Sequence, residues 1–135
     1  MTLADFFADY AARSLGDQPE SLAPLYADTF IVAGPEGSHA FPNDEQFIAW
    51  LRQVAEFNRD HGMRTMRPVA IREDALSPLH TLATVTWGAQ FERTGDAVIE
   101  FEIAYLLERR ADTWLILAYV SRADQAAAMA RLGLA

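Results

Sequence analysis

Apolar positions recur at helical spacing through the first half of the chain and alternate with polar ones through most of the second. Leu3, Phe6, Phe7, Tyr10, Ala11 and Ser14 share one face of a first helix. Thr2-Leu-Ala-Asp5 has the form of a capping box that opens it, and Gly16 is placed to stop it in a left-handed cap. A short second helix is predicted from Pro19 to Tyr26, limited by Pro24, because proline fits only a first helical turn. A third begins with Asn43 as cap and Gln46 bonding back. It carries Phe47, Trp50, Leu51, Val54 and Phe57 as its buried stripe and ends at Gly62.

Between these helices, Phe30-Ile-Val-Ala reads as a short strand and Gly34-Pro-Glu-Gly37 as a turn. Residues 64–74 read as a further strand, in which Pro68 demands an edge position or a bulge. The hairpin from about Leu79 to Leu107 has a testable register. Ala83, Val85, Trp87, Ala89 and Phe91 form one face of its first strand; Ile99, Phe101, Ile103, Tyr105 and Leu107 form one face of its second. The two faces coincide only if the loop holds an odd number of residues, because a one-residue slip exchanges them. Arg93-Thr-Gly95 fits a three-residue loop, which sets Trp87 opposite Phe101 and Val85 opposite Ile103 and turns Glu92, Glu100 and Glu102 to the other face. The last strand, Trp114 to Val120, is apolar on both faces, as a strand covered on both sides would be. Ser121-Arg-Ala-Asp124 has the form of a final capping box before an Ala-rich helix to Leu132.

This order predicts one α+β domain over residues 1–135: a cone-shaped, curved antiparallel sheet wrapped on N-terminal helices, with an apolar space between them. Helices cover one side of the last strand. A second subunit is the simplest cover for the other, so a homodimer through the outer sheet face is expected.

Composition narrows the function classes. In 135 residues, 51% are hydrophobic, with eight Phe, four Tyr and three Trp, which favours a packed core over disorder. The net charge of −8 disfavours nucleic acid and anionic membrane surfaces, whose phosphates repel it. With no cysteine there is no disulfide, thiolate nucleophile or cysteine-bound metal. Met1-Thr-Leu-Ala-Asp-Phe-Phe lacks the basic and long apolar regions of a signal peptide, and no apolar run approaches the ~20 residues of a membrane span. A cytoplasmic protein is the expectation.

The succession helix, helix, short strand, helix, long meander resembles the nuclear transport factor 2-like superfamily, which includes SnoaL-like polyketide cyclases and ketosteroid isomerase. The resemblance spans essentially the whole chain. It is carried by Asp5-Phe-Phe-Ala-Asp-Tyr10, by the Trp114 strand after its tight turn, and by Tyr119-Val-Ser-Arg-Ala-Asp124. It implies the cone-shaped, cystatin-like fold and says little about chemistry, because such folds host unrelated functions. Ketosteroid isomerases use a helix-1 tyrosine, an aspartate base after the second helix and a protonated aspartate in a late strand. Tyr10 matches the first by position. The other two fall near Ala33 or Gly34 and near Ala104, where no carboxylate stands, so steroid isomerisation is not implied. The His/Asp pair of SnoaL-like cyclases has no evident counterpart.

Tyr10, Trp50, Trp87, Tyr105 and Tyr119 are the candidate ligand-binding residues, since buried Tyr and Trp need partners for their OH and NH groups and could present them to one cavity. Core packing is the competing reading for each. No catalytic residue is assigned. His39, His61 and His80 do not stand at metal-ligand spacing, so no metal and no organic cofactor are implied. His61 suits a helix C-terminus, where a cation complements the dipole, and His80 suits the surface. His39 is a candidate acid-base group at the cavity mouth. Adjacent Ser38 and His39 do not make a triad. Three readings stay open: binding or slow conversion of a small apolar or aromatic metabolite; a cofactor-free cyclase or isomerase using Tyr10 with His39 or a glutamate; and a non-catalytic dimeric structural or partner-binding module.

Overall fold

The computed structural model describes residues 1–122 of the chain. Helix α1 (Leu3–Leu15) opens with the expected capping box: the Thr2 hydroxyl accepts from the Asp5 amide at 3.1 Å, and the Asp5 carboxylate accepts from the Thr2 amide at 3.4 Å. Its buried face is Leu3, Phe6, Phe7, Tyr10 and Ala11. Gly16 is not left-handed; its φ is −80° and the chain leaves extended, its amide bonded to the Arg13 carbonyl. A 3-10 turn follows over Pro19–Leu25, tight because Pro24 cannot supply the amide that a longer α-helix needs.

Six strands form a single curved sheet in the order β2-β1-β6-β5-β4-β3: β1 (Tyr26–Gly34), β2 (Gly37–Pro42), β3 (Met63–Ala75), β4 (His80–Phe91), β5 (Ile99–Arg110) and β6 (Thr113–Ser121). All neighbours are antiparallel except β1 and β6, which run parallel. That parallel pair corrects the wholly antiparallel expectation. The parallel arrangement needs a long crossover, and β2, α2 and the β3–β5 meander supply it. The first strand is also longer than the four residues predicted, and β2 was not anticipated. Every β2 side chain is exposed, so it carries no burial pattern to read.

Helix α2 (Glu45–Asp60) is capped by Asp44, whose carboxylate accepts from the amides of Gln46 and Phe47, not by Asn43. Asn43 instead donates its side-chain amide to the carbonyls of Ala23, Tyr26 and Ala27 at 2.8–3.3 Å, tying the 3-10 turn to β1. Only Phe47 and Leu51 of the expected stripe are buried; Trp50 and Phe57 are exposed because α2 does not lie flat on the sheet along its whole length. His61 forms the C-cap, its Nδ1 2.7 Å from the Phe57 carbonyl oxygen, and Gly62 takes the left-handed turn at φ 76°.

The hairpin register is as the sequence requires: Trp87 pairs with Phe101 and Val85 with Ile103. Pairing stops at Ala89–Ile99, however, and the connection holds a 3-10 turn over Glu92–Thr94 with Gly95 at φ 63°. The end of β4 turns toward α2's terminus, where the Glu92 amide bonds the Gly62 carbonyl at 2.9 Å. Pro68 stands in the edge strand β3 beside a bulge. The inward faces of β4 and β5 meet α1: Phe7 is fully buried, its ring 4.9 Å from Tyr105 and 6.0 Å from Trp87. The predicted helix toward Leu132 lies outside the described residues. Among the described residues, no helix is long and apolar enough to cross a membrane.

Candidate functional site

The helices close over the sheet tightly at one end and loosely at the other. Between α1, the 3-10 turn, α2 and the inner face of β3–β6 remains a cavity of about 180 Å³. Tyr10, Tyr26, Trp87 and Tyr105 form its inner wall; Met63, Met66, Phe101 and Tyr119 extend it along the sheet; Trp50 stands on the α2 side. The five residues singled out from the sequence, Tyr10, Trp50, Trp87, Tyr105 and Tyr119, therefore line one space. Four of them are inside or partly covered, while Trp50 keeps 47% of its surface exposed and stacks on Phe47 with ring centroids 6.1 Å apart.

The inner wall is a linked set of polar tips on apolar bodies. The Trp87 indole N–H donates to the Tyr105 hydroxyl at 3.0 Å. The Tyr10 and Tyr26 hydroxyls lie 2.7 Å apart. Burial pushes the Tyr10 hydroxyl above its ordinary pKa, and hydrogen bonds from Tyr26 and then Tyr105 pull it part of the way back. Burial drives Tyr26 well above the ordinary value, and the neighbouring Tyr10 and Tyr105 hydroxyls add to the effect. Burial does the same to Tyr105, reinforced by Tyr10 and Tyr119 and opposed by the bond from Trp87. Tyr10 is thus the shared partner of Tyr26 and Tyr105 in the set.

Tyr26 escaped the sequence reading because the Pro19–Tyr26 segment reads as a helix with Tyr26 at its end. It is the first residue of β1, paired with the buried Ile116 of β6 and packed on Phe30 and Phe47. The two cavity methionines were also missed, since β3 is mostly exposed and shows no clean alternation.

The candidate proton-transfer partners lie elsewhere. His39 is exposed on β2, its ring 6.1 Å from Phe41, and does not line the cavity. It sits on the far edge strand, beyond β1. Glu92 is exposed, and Glu102 pairs with Arg122 at 3.0 Å. Glu100 borders the cavity, yet it is exposed and its register partner is Gly88, between the inward-facing Trp87 and Ala89. Among the described residues no group of three or more metal-ligating side chains is assembled.

One triad-like chain does occur, away from the cavity. Ser77 Oγ lies 2.8 Å from His80 Nδ1, and His80 Nε2 lies 3.4 Å from Glu108. Ser77 Oγ also accepts from the amides of Leu79 and His80. The group is exposed at the β3–β4 turn and lines neither described pocket, and its bonds close the hairpin.

Comparison with known proteins agrees with this architecture. The family described as NTF2-like protein (DUF6841) matches residues 1–124. Aln2 from a Streptomyces species superposes with a TM-score of 0.71 at 16% identity, covering 96% of this chain and 93% of its own. An NTF2-like protein with a cystatin-like fold from Novosphingobium aromaticivorans gives 0.67 at 12% identity, with coverages of 96% and 84%. A protein of ketosteroid isomerase-like fold from Catenulispora acidiphila, solved in complex with trimethylamine, gives 0.58 at 17% identity, with coverages of 100% and 96%. At these identities the likeness is one of fold. No curated protein matches the chain. The α+β architecture, the cone of helices on a curved sheet and the family match agree: this chain belongs to the NTF2-like family DUF6841.

Proposed function

We propose that the cavity binds, or slowly converts, a small apolar or aromatic metabolite, held by burial against the aromatic walls and oriented by the Tyr10 hydroxyl. The observation that carries this reading is the hydroxyl cluster at the inner end of a mainly apolar space. Ligand sites combine apolar walls with a few convergent polar groups, and a merely structural core has no need of three linked hydroxyls. The Tyr10 and Tyr26 hydroxyls share one proton between them and both line the cavity, so the second proton of the pair can be given to an occupant's oxygen.

Conversion rather than binding requires a base. His39 is too far out to serve Tyr10, which leaves Glu100 as the carboxylate that borders the cavity. The proposal also includes a homodimer through the outer sheet face in the cytoplasm. Ile31, Ala118, Leu106 and Leu82 line up across four paired strands there, and Ile31 and Val120 are more than 40% exposed.

The binding reading is tested by thermal-shift and NMR titration of the purified protein with a library of small ring compounds. Tyr10→Phe should weaken every hit about tenfold by removing one directed hydrogen bond. Hits indifferent to Tyr10, or no hits at all, would leave the structural-module reading in its place. A Val120→Glu variant should sediment as a monomer; an unchanged dimer, or a monomeric parent, would sink the dimer.

A further inference from the structure

The size, charge and mouth of the cavity together specify more than a small metabolite. A cavity of about 150 Å³ holds one benzene ring. About 180 Å³ therefore accommodates one ring with a small substituent and is too small to enclose a four-ring steroid. Among the described residues no lysine, arginine or histidine lines the space, so an anion would enter without a counter-charge. Glu100 is the one carboxylate on its border among those residues. It is exposed on a strand position that faces away from the inner wall, so a cation meets no inward carboxylate either. Burying an unpaired charge costs several kcal/mol, which the net charge of −8 does not offset for an anion.

Trp50 supplies the remaining constraint. It occupies a position that helical periodicity assigns to the buried stripe, yet 47% of it is in contact with solvent. Phe47 supports one side of it in a near-parallel stack, 21° between planes, while the residue also lines the cavity. A flat surface at the rim with one side against Phe47 can serve as a stacking platform.

We infer that the ligand is an uncharged, planar, single-ring compound with an acceptor oxygen, such as an aryl ketone, its oxygen at Tyr10 and its ring against Trp50. The inference rests on the cavity being a binding site. It makes Trp50 a specificity-determining residue that selects flat rings over puckered ones.

Four single-ring probes separate these claims: acetophenone, benzoate, benzyltrimethylammonium and cyclohexyl methyl ketone, titrated by NMR and by tryptophan fluorescence. Acetophenone should bind at least tenfold more tightly than benzoate or benzyltrimethylammonium, and several-fold more tightly than the puckered ketone. Trp50→Ala, checked for an unchanged NMR fingerprint, should weaken acetophenone by about two- to tenfold, the usual worth of an aromatic pair. It should leave cyclohexyl methyl ketone nearly unchanged. Equal or tighter binding of benzoate or benzyltrimethylammonium overturns the uncharged ligand while leaving the site itself intact. Equal loss of both ketones in Trp50→Ala overturns the stacking role. If none of the four binds to the parent protein, the inference fails together with the binding reading beneath it.

Discussion

A double-mutant cycle on Tyr10 and Tyr26 gives the hydroxyl cluster a sharp test that needs no ligand. Tyr26→Phe removes one hydroxyl and one bond, the 2.7 Å contact to Tyr10. The ring stays against Phe30 and Phe47, so packing is conserved. A typical hydrogen bond contributes about 1 kcal/mol net, which sets the expected cost of Tyr26→Phe. Tyr10→Phe removes a hydroxyl bonded to both Tyr26 and Tyr105, while Tyr105 keeps the bond from Trp87. Two bonds lost in a buried setting put its cost at about 2 kcal/mol. In the double variant the Tyr10–Tyr26 bond cannot be lost twice, so the pair should be non-additive by about 1 kcal/mol. Urea denaturation of the four proteins reads all three numbers, and Tyr26→Phe should lower Tm by about 3–5 °C in a domain of this size. Additive costs, or a Tyr10→Phe cost no larger than that of Tyr26→Phe, would refute the assignment of Tyr10 as the shared partner.

Three further outcomes follow from named groups. The folded-state pKa values of Tyr10, Tyr26 and Tyr105 are all raised, chiefly by burial. The folded protein therefore keeps protons that the unfolded chain releases from about pH 10 upward, and stability, complete below that point, should fall as pH rises through the folded values. Tyrosinate absorbance and loss of helical circular dichroism should then rise together, and full ionisation with the fold intact would contradict the burial. Asn43→Ala should cost about 2 kcal/mol by freeing the Ala23, Tyr26 and Ala27 carbonyls, against about 1 kcal/mol for Asp44→Ala at the helix cap; chemical denaturation giving the reverse order would restore Asn43 to the capping role. Ala111 holds φ at 55° in the β5–β6 turn, so Ala111→Gly should stabilise the protein by about 0.5–1 kcal/mol in the same assay, and a loss of stability would count against strain there.

The parts of this fold that the sequence reveals are those where burial writes a period. The inward faces of β4 and β5 alternate without interruption, and matching them forces an odd loop, so strand register follows from arithmetic alone. The Thr2–Asp5 box is legible because both halves of the motif are local. Elsewhere the deciding contacts are remote. Nothing near Asn43 announces that it will bind carbonyls some twenty residues earlier, and its neighbour Asp44 is an equally good cap. The parallel β1–β6 pair joins residues about ninety positions apart, with only a short apolar run to mark β1. An exposed edge such as β2 leaves no pattern at all.

The candidate site was legible as a set of side chains and illegible as a space, for one physical reason. Alternation fixes which way a side chain points but not whether the opposing helix comes close enough to meet it. At the closed end Phe6, Phe7, Leu107 and Ile116 are buried to 1% exposure or less, and α1 fills the gap. At the open end Phe101, Met66 and Tyr119 point the same way yet stay half-buried, because α2 lies away from them and holds Trp50 at the rim. A core and a pocket thus share one pattern along β4, β5 and β6. What separates them is the stand-off of α2, fixed at one end by Asn43 and Asp44 and at the other by the Gly62 turn, whose carbonyl binds the Glu92 amide. The cavity is therefore a property of the anchors of α2 rather than of the residues that line it. Replacing a lining side chain should alter what the cavity holds, whereas loosening either anchor should alter whether the cavity persists.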